Sequence, residues 1–356
     1  MSTQATPPGT VLGKRYGWID YARGIAIVLI VVNHMGGSFI SASAGIDTWL
    51  TDLCQTVYYS RMPLFFIVSG LFVRRSLEKR GLGPFVQYKF ATILYPYFIW
   101  GGFQVAFQVL AYQQGLANMP RAWGDLAYLL YNPHGLGQFW FLYVLFAVAV
   151  LFALAHTYAR PPRLAWLVVG LVGYLASSFL PPYFGAKSIA EFFFFLVIGD
   201  WVGRWFLAPA NYETLGSAKL LAVVLPIFLV FHSYLYFHFD EVGTWPRPSW
   251  QRVWLMASVF AGLALMFNLS FLLDRLGWAK WLRFIGNHSL YIYMLHIIVG
   301  AGARAVLLKL GGSQYPNIAF YLTLGLAIGV PIAFYQATKR LGWWFLFSLQ
   351  KKAAGD

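Results

Sequence analysis

Residues 18–38 read WIDYARGIAIVLIVVNHMGGS, and the reading of this stretch decides the fold. Its apolar run is long enough to cross a hydrocarbon layer as one helix. Asp20 and Arg23 nevertheless stand where it begins, and His34 lies well inside. A helix rises about 1.5 Å and turns about 100° per residue, so the path from Arg23 to His34 covers roughly 16 Å and returns to nearly the same face. One stripe thus carries a guanidinium at one membrane surface and an imidazole deep within. Such groups are costly in lipid unless they face a protein interior or a wet cavity, so an ionisable stripe is a functional signal.

Composition extends this reading to the whole chain. Of 356 residues, 59% are hydrophobic, 19% aromatic and only 11% charged, which excludes an ordinary soluble domain and indicates an all-α polytopic membrane protein. The formal charge of +14 would suggest nucleic acid in a soluble protein. In a bilayer protein the distribution of Lys and Arg among the loops matters first, and no nucleic-acid partner is expected. The single cysteine, Cys54, excludes an internal disulfide and a cysteine-cluster metal site; it reads as a small apolar filler.

Residues 1–17 form a short polar tail bearing Lys14 and Arg15. A cleaved signal peptide is not expected, because the apolar stretch that follows is too long and carries Asp20 and Arg23. Spans of bilayer length fall at 18–40, 56–73, 85–111, 138–156, 164–180, 188–207, 218–237, 250–273, 284–308 and 316–337. About ten crossings put both termini on one side. The loops sharing that side run from Arg74 and Arg75 to Lys280 and Arg283, and the tail adds Lys339, Arg340, Lys351 and Lys352. The opposite loops hold little beyond Arg121, Lys187, Arg247 and Lys309. This asymmetry predicts cytoplasmic termini, one transmembrane domain over 18–337, and a basic cytoplasmic tail over 338–356.

Two outer loops are long. The first, 112–137, carries Asp125, Asn132 and His134; the second, 238–249, reads HFDEVGTWPRPS. An acidic pair and tryptophans facing outward suit contact with sugars, or else form an interfacial aromatic belt. The second span, YYSRMPLFFIVSGLF at 58–72, holds Arg61 near its outer end and Ser69-Gly70 deeper. The Ser-Gly pair predicts close helix packing. Arg61 either snorkels to outer headgroups or stands in the cavity and meets an anionic group. GQFWFLYVLF, 137–146, has Trp140 at its outer mouth, and EFFFFLVIGDWVGR, 191–204, opens with Glu191 and closes with Asp200 and Arg204. The last two are spaced to pair with each other. In the ninth span, FIGNHSLYIYMLHIIVGAGAR, the residues Ser289, Tyr293, His296 and Gly300 recur along one helical face.

These motifs resemble the acyltransferase-3 family of bacterial integral-membrane acyltransferases, which includes sugar O-acetyltransferases and glucan succinyltransferases. The resemblance rests on a basic residue and a histidine separated by ten residues (Arg23 and His34), on RMPLFFIVSGLF, on FWFLYVLF, and on IGNHSLYIYMLH ending in His296, all in order. Arg61 stands where many members have His, which is closer to the glucan-modifying branch, and the esterase-like domain fused to many members has no counterpart in this sequence. The resemblance implies transfer of an acyl group, acetyl or succinyl, from cytoplasmic acyl-coenzyme A to a hydroxyl of a glycan or lipid-linked sugar at the outer face of a bacterial inner membrane.

The residues fit that task. Arg23 would neutralise coenzyme A phosphates, with Asp20 orienting it. His34, a pantetheine arm's reach away, would act as general base toward the acceptor hydroxyl, or carry the acyl group transiently; direct base catalysis is favoured. Arg61, His296 or Tyr293 would donate to the oxyanion, and Glu191 and Trp140 would meet the acceptor. No metal is expected. The rival reading is a proton-coupled secondary transporter of a small anionic or sugar-like solute, although no pair of Gly/Pro-interrupted helices marks related halves.

Overall fold

The computed structural model describes residues 16–114, 120–181, 183–237 and 249–350. Among them there are helices and turns and no strand, and the protein is an all-α polytopic membrane protein. The main helices are α1 (Gly17–Ser41), α2 (Trp49–Thr56), α3 (Tyr58–Arg80), α4 (Leu82–Gln113), α5 (Trp140–Tyr158) and α6 (Arg163–Ala176). They continue as α7 (Ala186–Phe206), α8 (Ala218–Phe237), α9 (Ser249–Leu276), α10 (Lys280–Asn287), α11 (Ser289–Leu307) and α12 (Pro316–Arg340).

Every predicted span falls on helix, but the spans are not equivalent. Seven are long and apolar enough by themselves, and nine if two bent pairs each count as one. One bent pair is α2 with α3, angled by 51°; the other joins α7 to the short turns that follow it, at 87°. The stretch predicted at 164–180 lies on a shorter apolar helix, Arg163–Phe179. Residues 1–15 and 351–356 of the predicted tails and 238–248 of the second long loop lie outside the described residues.

The hub is α1, which touches α2, α3, α9, α10, α11 and α12. It is apolar on nearly all sides, as a helix surrounded by other helices should be, and Ala22, Ala26, Ile27 and Val31 are completely buried. Near its start the chains approach backbone to backbone: a Cβ at Gly24 would strike the Leu282 carbonyl, and one at Gly286 the Asp20 carbonyl. The same device joins α3 to α7. Gly70 and Gly199 lie back to back, each facing the other helix's carbonyls, which is the packing role expected of the Ser69-Gly70 pair.

Two expectations are corrected. Asp200 does not pair with Arg204. It faces α3, where Arg74 grips it through Nε (2.9 Å) and Nη2, while Nη1 of the same guanidinium reaches His156 Nδ1 of α5 at 3.2 Å. Arg204 points outward and is exposed. The i,i+4 spacing permits a weak surface pair, but a forked contact from a neighbouring helix uses more donors in a drier place. Removing one partner of a part-buried, forked pair leaves the other with unmade charge-assisted hydrogen bonds. Asp200→Ala should therefore destabilise by about 1.5–3 kcal/mol and Arg204→Ala by under ~0.5 kcal/mol, read from thermal unfolding in detergent.

The ninth span also differs: residues predicted as one helix from 284 divide at His288, whose φ of −102° and ψ of 8° leave the helical region. Residues 284–287 belong to α10, and α11 begins afresh at Ser289. His288 caps the break, its Nδ1–H donating to Phe284 O at 2.8 Å while Gln336 of α12 donates to Nε2 at 2.8 Å. Beyond α12 the chain folds back over α4. Phe347 is buried beneath the Trp100 ring, Trp100 Nε1 donates to Leu346 O, and Leu349 N–H donates to Ala91 O inside the π turn at Phe90–Leu94.

Candidate active site

Two helices far apart in sequence build the centre. α1 and α11 lie side by side and run the same way: Gly286, just before α11, sits at the level of Asp20, Gly300 at that of Met35, and Arg304 at that of Ser38. Between these levels His34 Nδ1 meets His296 Nε2 at 2.8 Å. The ring planes are within 13° of each other and the centroids 5.1 Å apart. Each imidazole nitrogen sits about 1.1–1.2 Å from its centroid, so the two nitrogens lie in line between the rings. This is an edge-to-edge hydrogen bond along the lone-pair axes and not a face-to-face stack.

The pair is unequal. His296 is completely buried, and its Nδ1 lies 2.8 Å from Tyr293 O and 3.0 Å from Ile292 O. His34 is only partly buried, and its Nε2 has no partner among the described residues. Tyr293 stands one turn before His296 on the same face; its ring lies 5.2 Å from that of Phe141 and 6.1 Å from that of His296. Its hydroxyl is buried and has at most a weak contact with the Phe141 backbone. A buried O–H bonded so weakly suits a donor awaiting a better acceptor.

Arg61 enters from α3. It is 4% exposed, so of the two positions open to it from sequence, snorkelling to headgroups is excluded. Its Nη1 donates to Leu29 O at 2.7 Å, five residues before His34 on α1; its Nε donates to Tyr58 O at 3.3 Å, and its guanidinium covers the Tyr58 ring. These bonds leave guanidinium N–H groups with no partner among the described residues.

The other predicted residues lie at two further places. At the start of α1, Arg23 is partly exposed and Asp20 is buried, with Arg283 Nε of α10 at 4.0 Å from the Asp20 carboxylate. On the lateral side, Trp140 lies against His134 (5.1 Å) and Phe192 (5.3 Å), and Phe141 links it to Tyr293. Glu191 precedes Phe192 and is partly buried. Asp125 takes the Ala122 N–H at 3.3 Å and faces Arg121 at 3.5 Å.

Two features escaped the sequence. Arg304 donates through Nη1 to Ser38 O at 2.6 Å, near the end of α1, while its Nε is buried without a partner. Its place two turns beyond His296 on the same helical face was the available signal. The buried amides Gln104 and Gln138 bond to each other at 2.7 Å, a pairing between consecutive spans that no local pattern announces. Among the described residues no three His, Cys, Asp or Glu side chains converge as metal ligands do.

No curated protein and no solved structure matches the chain. A family profile described as an acyltransferase domain matches residues 16–336, from the residue before α1 to the last turns of α12. The four motifs and the histidine pair all lie inside that match, and the chain therefore belongs to the acyltransferase-3 family of multi-pass membrane acyltransferases.

Proposed function

We propose that the protein moves an acyl group, acetyl or succinyl, from acyl-coenzyme A at the side of its termini to a hydroxyl of a glycan or lipid-linked sugar at the opposite face of a bacterial inner membrane. The observation that carries this reading is the in-line His34–His296 contact, with a buried, weakly bonded tyrosine hydroxyl one turn away on the same helix. General base and oxyanion donor are the two parts that acyl transfer to an alcohol needs. The family membership supports an acyltransferase over a carrier.

In this mechanism Arg23 receives the phosphates of the donor, and the thioester reaches His34 at the end of its pantetheine arm. His34 Nε2 takes the acceptor's proton as the acceptor oxygen bonds to the thioester carbon. Tyr293 O–H donates to the oxyanion. The carbon–sulfur bond then breaks, and the thiolate collects the proton from His34 to leave as free coenzyme A. Arg61, positively charged and unpaired by any carboxylate contact among the described residues, favours a donor whose acyl chain ends in a carboxylate. Trp140 and Glu191 flank the approach of the acceptor.

The test is transfer by purified protein in nanodiscs, with radiolabelled acetyl- and succinyl-coenzyme A offered to gluco-oligosaccharides. Tyr293→Phe should lower kcat by about 10²-fold with little change in melting temperature, because the hydroxyl removed has only a weak contact to lose. A carrier would transfer no label, and full activity in Tyr293→Phe would remove that residue from the mechanism.

A further inference from the structure

We infer that His296 is a positioning residue that fixes the tautomer of His34, so that its Nε2 is held as the proton-accepting nitrogen; this rests on the acyl-transfer reading above. The argument runs outward from the backbone. Carbonyl oxygens only accept, so the contacts of His296 Nδ1 with Ile292 O and Tyr293 O require a proton on that nitrogen. A neutral imidazole carries only one proton, so His296 Nε2 is an acceptor. The hydrogen between the rings then belongs to His34 Nδ1, and the lone pair of His34 lies on Nε2, the nitrogen left without a protein partner.

The alternative, a charged His296 donating from both nitrogens, would bury a second cation in a site that already holds Arg61 and has no carboxylate contact among the described residues. With both nitrogens engaged, His296 has no hydrogen to offer an oxyanion, which leaves that task to Tyr293 or Arg61. The arrangement has the logic of a catalytic triad, where a buried acceptor behind the histidine sets its tautomer and steadies the imidazolium that forms. Here a second imidazole, itself oriented by backbone, replaces the carboxylate. A neutral acceptor adds no negative charge, which suits a site receiving an anionic coenzyme A thioester.

The consequence separates this role from simple packing. His296→Ala should lower kcat by about 10²–10³-fold with KM for acyl-coenzyme A changed less than about threefold, since a mis-set tautomer impairs proton transfer and not donor binding. His296→Asn or His296→Gln, whose amide oxygen can accept the same hydrogen, should recover activity to within about tenfold of the parent. If both amide variants are as inactive as alanine, or alanine retains full activity, the assignment is wrong.

A second measurement needs no turnover. ¹⁵N spectra of histidine-labelled protein in nanodiscs, with the His34 signals identified by their loss in His34→Gln, should show His34 protonated at Nδ1 and bare at Nε2. The opposite tautomer overturns the inference. A protein with the expected spectrum but no acyl transfer would refute the acyltransferase reading while leaving the tautomer assignment intact.

Discussion

His34→Ala is expected to lower acyl transfer by about 10²–10⁴-fold, the range that a positioned general base supplies. The loss should fall on kcat, because the proposed mechanism places the donor's phosphates at Arg23, roughly 16 Å away. Arg23→Ala should show the converse, a raised KM for acyl-coenzyme A with a smaller change in kcat. His34→Ala also leaves His296 Nε2 as a buried acceptor without a donor, at about 1–3 kcal/mol, so the variant should unfold a little earlier yet remain folded at room temperature. Activity measured with donor in excess and melting followed in the same preparation separate the two effects. A retained rate would show that another group takes the acceptor's proton.

The second large effect is on folding. At Gly70 an added side chain meets the Leu196 carbonyl and the Cα of Gly199; at Gly199 it meets the Ile67 carbonyl and the Cα of Gly70. These are backbone atoms that cannot swing aside, so the helices must part along their whole contact. That separation would also pull Arg74 from Asp200 and move Arg61 relative to α1. Gly70→Leu and Gly199→Leu should each abolish recovery of monodisperse protein, beyond the about 1–3 kcal/mol typical of an overpacked but yielding core. Gly102→Leu on α4, where nothing lies within reach of the new Cβ, should be recovered normally. Equal recovery of all three by size-exclusion chromatography would mean that α3 and α7 do not pack this closely.

Much of this was legible in the sequence because a bilayer imposes simple rules. Apolar length located the helices, and the contrast of Arg23 and His34 with their surroundings marked α1 as the candidate functional helix. Helical periodicity alone put Tyr293 and His296 on one face, and the structure keeps them there. What periodicity cannot give is which helices are neighbours. The contact between His34 and His296 spans 262 positions, and the packing of α1 against α10 through Gly24 and Gly286, and against α11 where Gly300 meets the Met35 side chain, is displayed only by the assembled bundle.

The same limit explains the error at Asp200. Its nearest cation in sequence is Arg204, its nearest in space Arg74, and only the approach of α3 across Gly70 brings the latter into range. The break at His288 was hidden for a different reason. The sequence there contains no proline, and the side-chain bonds that stabilise the break come in part from Gln336 on another helix. Arg304 looked like an ordinary end-of-span cation until its bond to the Ser38 carbonyl set it above the histidine pair.

The central claim, that a base inside the bundle joins a donor on one side to an acceptor on the other, is most directly tested in sealed proteoliposomes. Protein is oriented by selecting vesicles whose basic C-terminal tail is protected from external protease, so that the termini face the lumen. Radiolabelled acyl-coenzyme A is enclosed and gluco-oligosaccharide is supplied outside. The account predicts label on the external sugar without loss of coenzyme A from the lumen, and none with His34→Ala. Label transferred only after the vesicles are permeabilised would contradict it.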